Sequence, residues 1–248
     1  MIETRDLCFA YHDGAPVLGG VTLDIAAGEA VGFIGPNGAG KSTLLMHLNG
    51  LLRGTGLVRI DGVPLTDATV REIRRKVGWV AQDSDDQLFM PTLFDDVAFG
   101  PLNLGLPDAT VRARVADALA RVGLSHLAAR PPHHLSGGEK KCAALATVLA
   151  MQPSVILLDE PTNDLDHASR RSLIGLLREL PVTRLIASHD LELILDLCPR
   201  VVLLDGGRVV ADGPAARLLA DAELLAAHRL EPPLSLALGS HPHRDGDA

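Results

Sequence analysis

The octapeptide Gly35-Pro36-Asn37-Gly38-Ala39-Gly40-Lys41-Ser42 constrains this chain more than any other stretch. It follows a short apolar run at 31–34 that reads as a buried strand, and a helical pattern follows it from about 41 to 49. A strand, a glycine-rich loop and a helix with the spacing G-x4-G-K-[ST] make a cradle for phosphate. The glycines let backbone N–H groups turn inward around an anion. The helix aims its positive end at the β-phosphate. Lys41 then reaches the β- and γ-phosphates, and the Ser42 hydroxyl ligates Mg²⁺. The plain alternative is a glycine-rich turn, which the placement between strand and helix disfavours.

The rest of the chain alternates strand and helix, which argues for an α/β fold with a largely parallel sheet. Strands are expected at 57–60, 77–81, 155–158, 184–188 and 201–204, and a turn at 205–207 returns the chain into 208–211 as a hairpin. Residues 83–152 carry helical patterns instead, notably at 108–122 and 138–151, and read as a helical subdomain inserted in the core. The expected organisation is therefore one domain over 1–230, with its core at 1–82 and 153–230, the insert at 83–152, and a loose tail at 231–248. The apolar strand 155–158 ends in Asp159-Glu160. In such sheets ligands sit at the carboxyl ends of strands. Asp159 would hold Mg²⁺, directly or through water, and Glu160 would orient and polarise an attacking water. The alternative is a strand with an acidic cap.

Bulk properties exclude several classes. The 248 residues carry a net charge of −8, so no global attraction to nucleic acid or anionic lipid exists, and Arg71, Arg74, Arg75 and Lys76 form only a small basic cluster. Cys8, Cys142 and Cys198 are odd in number and far apart, which argues against a disulfide framework or a zinc site. The first six residues are not followed by an apolar stretch, and no run approaches the ~18 apolar residues of a membrane span. Any membrane role goes through a partner. His133-His134, and His241 with His243, invite a metal reading, but paired loop histidines are more often solvated.

Leu135-Ser136-Gly137-Gly138-Glu139 resembles the signature of ABC ATPases, and with the two motifs above the resemblance extends from about 1 to 220 in the correct order. It implies a P-loop NTPase (RecA-like) core with an N-terminal antiparallel β element and an inserted helical subdomain. It implies that Ser136, Gly137 and Gly138 close over the γ-phosphate of an ATP held by a partner subunit, and that Gln82 senses Mg²⁺ and γ-phosphate while linking core to insert. Asn163-Asp164-Leu165-Asp166 resembles the D-loop, and His189 the switch histidine that contacts the γ-phosphate. Tyr11 stands where the family places an aromatic on adenine, although it could simply pack on its strand neighbours. The implied ATP site is Tyr11, Gly35, Pro36, Asn37, Gly38, Ala39, Gly40, Lys41, Ser42 and Thr43, completed by Ser136, Gly137 and Gly138. The implied catalytic set is Glu160, His189, Lys41 and Gln82, with Ser42, Gln82 and Asp159 on Mg²⁺. Two positions depart from the family: Cys142 replaces an arginine, and Asn163-Asp164 replaces a small residue plus glycine. Neither removes a group that touches phosphate.

Residues 82–89 and 92–104, with Lys140-Lys141 and the stretch 149–151 before Pro153, are similar to ATPases of energy-coupling factor transporters, most of all to cobalt/nickel components. The resemblance implies a peripheral subunit at the cytoplasmic face of a membrane. It would act as a homodimer, or as a heterodimer with a paralogous ATPase, on integral-membrane subunits. Leu88, Phe89 and Met90 would put an apolar tip beside Gln82, either to dock a membrane subunit or to fill the insert's own core. The rivals are an ATPase of another ABC importer or exporter, a non-transport ABC protein, and a nucleotide-binding module that does not hydrolyse. The set Lys41, Asp159, Glu160 and His189 speaks against the last.

Overall fold

In chain order the strands are β1 (Ile2–Ala10), β2 (Pro16–Ile25), β3 (Ala30–Ile34), β4 (Thr55–Ile60), β5 (Val63–Pro64), β6 (Val77–Val80), β7 (Val155–Asp159), β8 (Thr183–Ala187), β9 (Arg200–Asp205) and β10 (Arg208–Pro214). The helices are α1 (Lys41–Leu48), α2 (Val70–Lys76), α3 (Leu93–Asn103), α4 (Asp108–Arg121), α5 (Gly137–Leu149), α6 (His167–Glu179), α7 (Leu191–Leu197), α8 (Ala215–Leu218), α9 (Ala222–Ala227) and α10 (Leu234–Ala237). This computed structural model describes residues 1–11 and 14–237. The chain divides into two units, Met1–Ile73 with Thr183 onward, and Arg74–Val182.

In the first unit, β1 alternates buried and more exposed residues over its first half, as expected of a sheet wet on one face. It pairs antiparallel with β2 and β4, and β4 pairs with β5. This is the N-terminal antiparallel element. Strand β3 differs: all five of its residues are buried. It lies parallel to β8 on one side and β9 on the other, with Gly32 opposite Ile186 and Val201. Gly32 admits α7 closely, because a Cβ there would come within 2.5 Å of Ile194. The 205–207 turn closes the antiparallel hairpin β9–β10, as the sequence indicated.

In the second unit, β6 and β7 pair in parallel, Val80 opposite Leu158. Helices α3, α4 and α5 close over their own apolar core, including Leu93, Val97, Val115, Leu119, Ala143 and Ala146. Cys142 packs against that core rather than reaching solvent as an arginine would, and Leu88 is part of it. Helix α6 buries the stripe Leu173, Ile174 and Leu177.

The observed architecture is α/β, with parallel strands, an antiparallel N-terminal sheet and a helical segment, as expected. Element ends moved by one or two residues; the helix expected over 108–122 spans Asp108–Arg121. Within the stretch 231–248, expected as a loose tail, Ser235 is held to α7. Ser235 donates from both its N–H and its hydroxyl to the Glu192 carboxylate, at 2.9 and 2.6 Å. His241 and His243 lie outside the described residues. No described helix is long and apolar enough to cross a membrane.

Candidate functional site

In the first unit the 35–42 loop leaves the carboxyl end of β3, and its backbone is one that glycine favours. Gly35, Gly38 and Gly40 have φ of 143°, 79° and 99°. At Gly35 a Cβ would meet Leu204 O at 2.0 Å, so β9 closes that side of the loop, whereas Gly38 faces open space. Helix α1 begins without a side-chain cap or an acid in its first turn, so its positive end remains for an anion. Lys41 is 8% exposed, and its Nζ donates to Gly35 O at 2.8 Å and Pro36 O at 3.2 Å. The ammonium is thus held over the loop it opens from.

Behind the loop, His47 packs edge-on against Phe9, whose ring does the same to Tyr11. His47 Nδ1 lies 2.7 Å from Thr43 O, an acceptor, so Nδ1 carries the proton. Burial lowers the His47 pKa, which keeps the ring neutral at pH 7. The Tyr11 hydroxyl lies 3.3 Å from Thr43 Oγ1, with the side chain 43% exposed. Tyr11 thus packs on Phe9 and Thr43 and is still partly exposed. His189 is exposed just beyond β8. Because β8 runs parallel to β3, His189 and the 35–42 loop leave the sheet at the same edge.

In the second unit, the parallel pair β6–β7 sends Gln82 and Asp159-Glu160 off its carboxyl edge together. Asp159 is 3% and Glu160 8% exposed. Glu160 has φ of 45°, a conformation that costs about 1–3 kcal/mol and is concentrated at functional sites. Asp164 also has positive φ, 62°, where the family pattern has glycine; aspartate tolerates that region better than most residues. Asp166 caps α6 by accepting from Ser169 N.

Ser136 is the N-cap of α5. Its Oγ accepts from Glu139 N while the Glu139 carboxylate accepts from Ser136 N at 2.7 Å, a reciprocal capping box. Those hydrogen bonds hold the Glu139 carboxyl below its ordinary pKa. Gly138 is required by packing as well: a Cβ there would come within 2.6 Å of Ser169 Oγ on α6. The exposed turn 136–137 is thereby presented by two helices.

Sequence reasoning left several residues of this unit without a role. Gln87 accepts from Ala81 N at 3.0 Å and donates to Ala144 O and Thr147 Oγ1, at 3.0 and 2.8 Å, stitching the segment before Gln82 to α5. Asp96 is buried at 3% and accepts from Phe89 N and Met90 N, both at 3.0 Å. Burial raises its pKa and those two bonds oppose the rise. The effect is to hold Phe89 outward at 62% exposure, edge-on to Phe99, which is 43% exposed. The two readings of the 88–90 tip divide accordingly: Leu88 fills the helical core and Phe89 faces out. Lys141 is 7% exposed and donates to Gln82 O. Gln87 and Asp96 lie within the stretches that carry the family resemblance, but their roles depend on partners brought close only by the fold.

Magnesium takes hard oxygen ligands. The Asp159 carboxylate at the buried end of β7 and, in the first unit, the Ser42 hydroxyl in the first turn of α1 each offer that donor type, so the residues present fit it by chemistry. His133 and His134 stack on each other in an exposed turn, and among the described residues no group of three or more His, Cys, Asp or Glu converges on a metal position.

The profile of the ABC transporter family matches residues 18–163. The energy-coupling factor transporter ATP-binding protein EcfA of Methanothermobacter thermautotrophicus is 50% identical over 231 residues, covering 91% of this chain and 74% of that protein. Among solved structures, CbiO1 of Clostridium perfringens, part of the ABC transporter complex CbiONQ, is similar with a TM-score of 0.81 and 36% identity, over 96% of this chain and 98% of that one. A dimeric ATP-binding cassette in a post-hydrolysis state with ADP and Pi is similar with a TM-score of 0.78 and 30% identity, over 87% of this chain and 99% of that one.

Proposed function

We propose that this chain, which belongs to the ABC transporter family and is an ATPase, is the ATP-hydrolysing subunit of an energy-coupling factor importer carrying a transition metal ion such as cobalt or nickel. The observation that carries the importer assignment is the apolar corner after Gln82. Phe89 stands exposed where the buried Asp96 carboxylate accepts from its N–H, edge-on to the exposed Phe99, which a chain without a partner for that corner gains nothing from. Such a rigid aromatic pair suits a helix of a membrane subunit. The similarity to EcfA, an energy-coupling factor transporter ATP-binding protein, and to CbiO1, part of an ABC transporter complex, supports the same choice of partner. Attachment to the cytoplasmic face of the membrane then runs through that partner.

In this reading the phosphates of ATP lie on the backbone of 35–43, with Tyr11 against the adenine. Lys41 exchanges its two loop carbonyls for the β- and γ-phosphates, which costs little because one set of acceptors replaces another. By the family's pattern Ser42, Asp159 and Gln82 would hold Mg²⁺, which when bound would neutralise charge on the phosphates. Glu160 orients and polarises the attacking water, and His189 holds the γ-phosphate. Ser136, Gly137 and Gly138 serve the ATP of a second subunit, whether an identical chain or a paralogue. ATP-driven closure and reopening move the helical segment 83–152 and, with it, the docked partner.

Reconstitution in liposomes with the transmembrane components of an energy-coupling factor transporter tests the assignment. The intact chain should drive ATP-dependent uptake of Co²⁺ or Ni²⁺. Phe89→Asp should keep the ATPase activity of the isolated subunit and lose membrane assembly. Normal assembly by Phe89→Asp, or uptake indifferent to both ions, would refute the corresponding half.

A further inference from the structure

Helix α5 starts at the 136–138 turn, and one turn along it stands a buried cation that the mechanism above does not use. Lys141 is 7% exposed and its Nζ donates to the backbone carbonyl of Gln82. Burial pulls its pKa below the ordinary value, and Asp164, Asp83, Asp159 and Glu160 all pull it back up. A buried ammonium without counter-charges would be costly; here the negative charges of four carboxylates from three segments favour it. The same four carboxylates, without a cation among them, would repel one another. Lys141 is thus in electrostatic contact with the acidic pair ending β7, with the loop after it, and with the start of the segment after β6.

The neighbouring bonds give this a direction. Lys141, Ala144 and Thr147 recur every third residue, so they share a face of α5. Gln87 joins Ala144 and Thr147 to Ala81 N, and Lys141 joins the same face to Gln82 O. Ala81 and Gln82 are therefore stitched to α5 at two successive residues, once by neutral groups and once by a charge. Lys140 adds an ion pair to Asp85 at 2.6 Å, nearer the surface.

We propose that Lys141 is a positioning residue for ATP hydrolysis: it holds the Gln82 backbone against α5, so that the helix bearing Ser136–Gly138 and the segment carrying Gln82 act as one piece beside Glu160. The proposal rests on the assignment of Glu160 and Gln82 to hydrolysis made above. Methionine matches the length of the lysine stem and fills the same volume while removing charge and donor.

Lys141→Met, Lys141→Arg and Lys141→Gln should be compared with wild type and with Glu160→Gln, measuring equilibrium ATP affinity separately from steady-state kinetics. Lys141→Met should keep ATP affinity within about twofold and lose kcat by about tenfold or more, as expected when a charge-assisted hydrogen bond used only in turnover is removed. Lys141→Arg should recover most of kcat. Wild-type kcat in Lys141→Met overturns the proposal, and so does a loss of ATP affinity as large as the loss of kcat, which would mark a general defect of the fold. If Lys141→Met does not fold, the other two decide. A kcat near wild type in Lys141→Arg and reduced in Lys141→Gln at equal ATP affinity supports the proposal; equal kcat in both overturns it. Wild-type hydrolysis by Glu160→Gln would instead remove the assignment on which the proposal rests, whatever the lysine variants do.

Discussion

Alanine at Gly35 and alanine at Gly38 make the same chemical change three residues apart, yet the structure gives them different costs. At Gly35 the new Cβ would sit 2.0 Å from Leu204 O and 3.2 Å from the Ala39 Cβ, with φ at 143°. The first contact is more than an ångström short of ordinary van der Waals distance, and its partner is backbone in β9, which pairs directly with β3. No rotamer relieves it; the loop or the strand must shift. Overpacking of that kind costs about 1–3 kcal/mol, and a non-glycine residue in such a conformation costs about 1–3 kcal/mol more. At Gly38, with φ at 79° and nothing within 4 Å, only the backbone cost remains, about 1–2 kcal/mol. The gain from restricting the unfolded chain is common to both and cancels in the comparison. Gly35→Ala should therefore be less stable than Gly38→Ala by roughly 2–3 kcal/mol, or about 4–12 °C in Tm for a chain of this size. Urea unfolding of the two variants without nucleotide measures the difference directly. Equal midpoints would show that β9 does not hold the loop as described, and the argument for a preformed phosphate cradle would fail with it.

Three further outcomes can be checked. Lys41→Ala should weaken ATP binding by at least about tenfold in an equilibrium assay, since it removes the cation assigned to the β- and γ-phosphates; unchanged affinity would end that assignment. Glu160→Gln keeps the shape of glutamate but cannot polarise water as a carboxylate does, so light scattering in saturating Mg-ATP should show more dimer than wild type. Hydrolysis at the wild-type rate would remove Glu160 from catalysis. The depressed pKa of Glu139, caused first by its bond from Ser136 N, makes the capping box pH-dependent. The folded pKa lies below the unfolded one, so the stabilisation is complete above the unfolded value of 4.5 and fades as pH falls through the folded value. The urea midpoint of wild type relative to Glu139→Gln should then narrow between pH 6 and pH 3, by no more than the ~0.3–1 kcal/mol typical of an exposed charge at a helix start. A gap that widens on acidification would contradict the cap.

Much of the site was legible in the residue order because its chemistry is local. Gly35 to Ser42 work through backbone torsions and a helix end a few residues away, and Asp159-Glu160 announce themselves by ending an apolar strand. Ser136 was legible as part of the 135–139 motif, and the structure adds that it caps its helix. The division of Leu88 from Phe89 could not be read, because neighbours in sequence take opposite environments once Asp96 captures the Phe89 and Met90 amides. Gly138 looked like part of an anion-binding turn, and only the approach of Ser169 shows that the helix pair also needs it. Lys141 is the clearest case. In the sequence it is one of two adjacent lysines, and an exposed lysine is the default expectation. Its burial against Gln82 O, in the field of Asp83, Asp159, Glu160 and Asp164, depends on bringing together segments up to 81 residues apart, and an electrostatic field of that kind belongs to distances in space that no local pattern encodes.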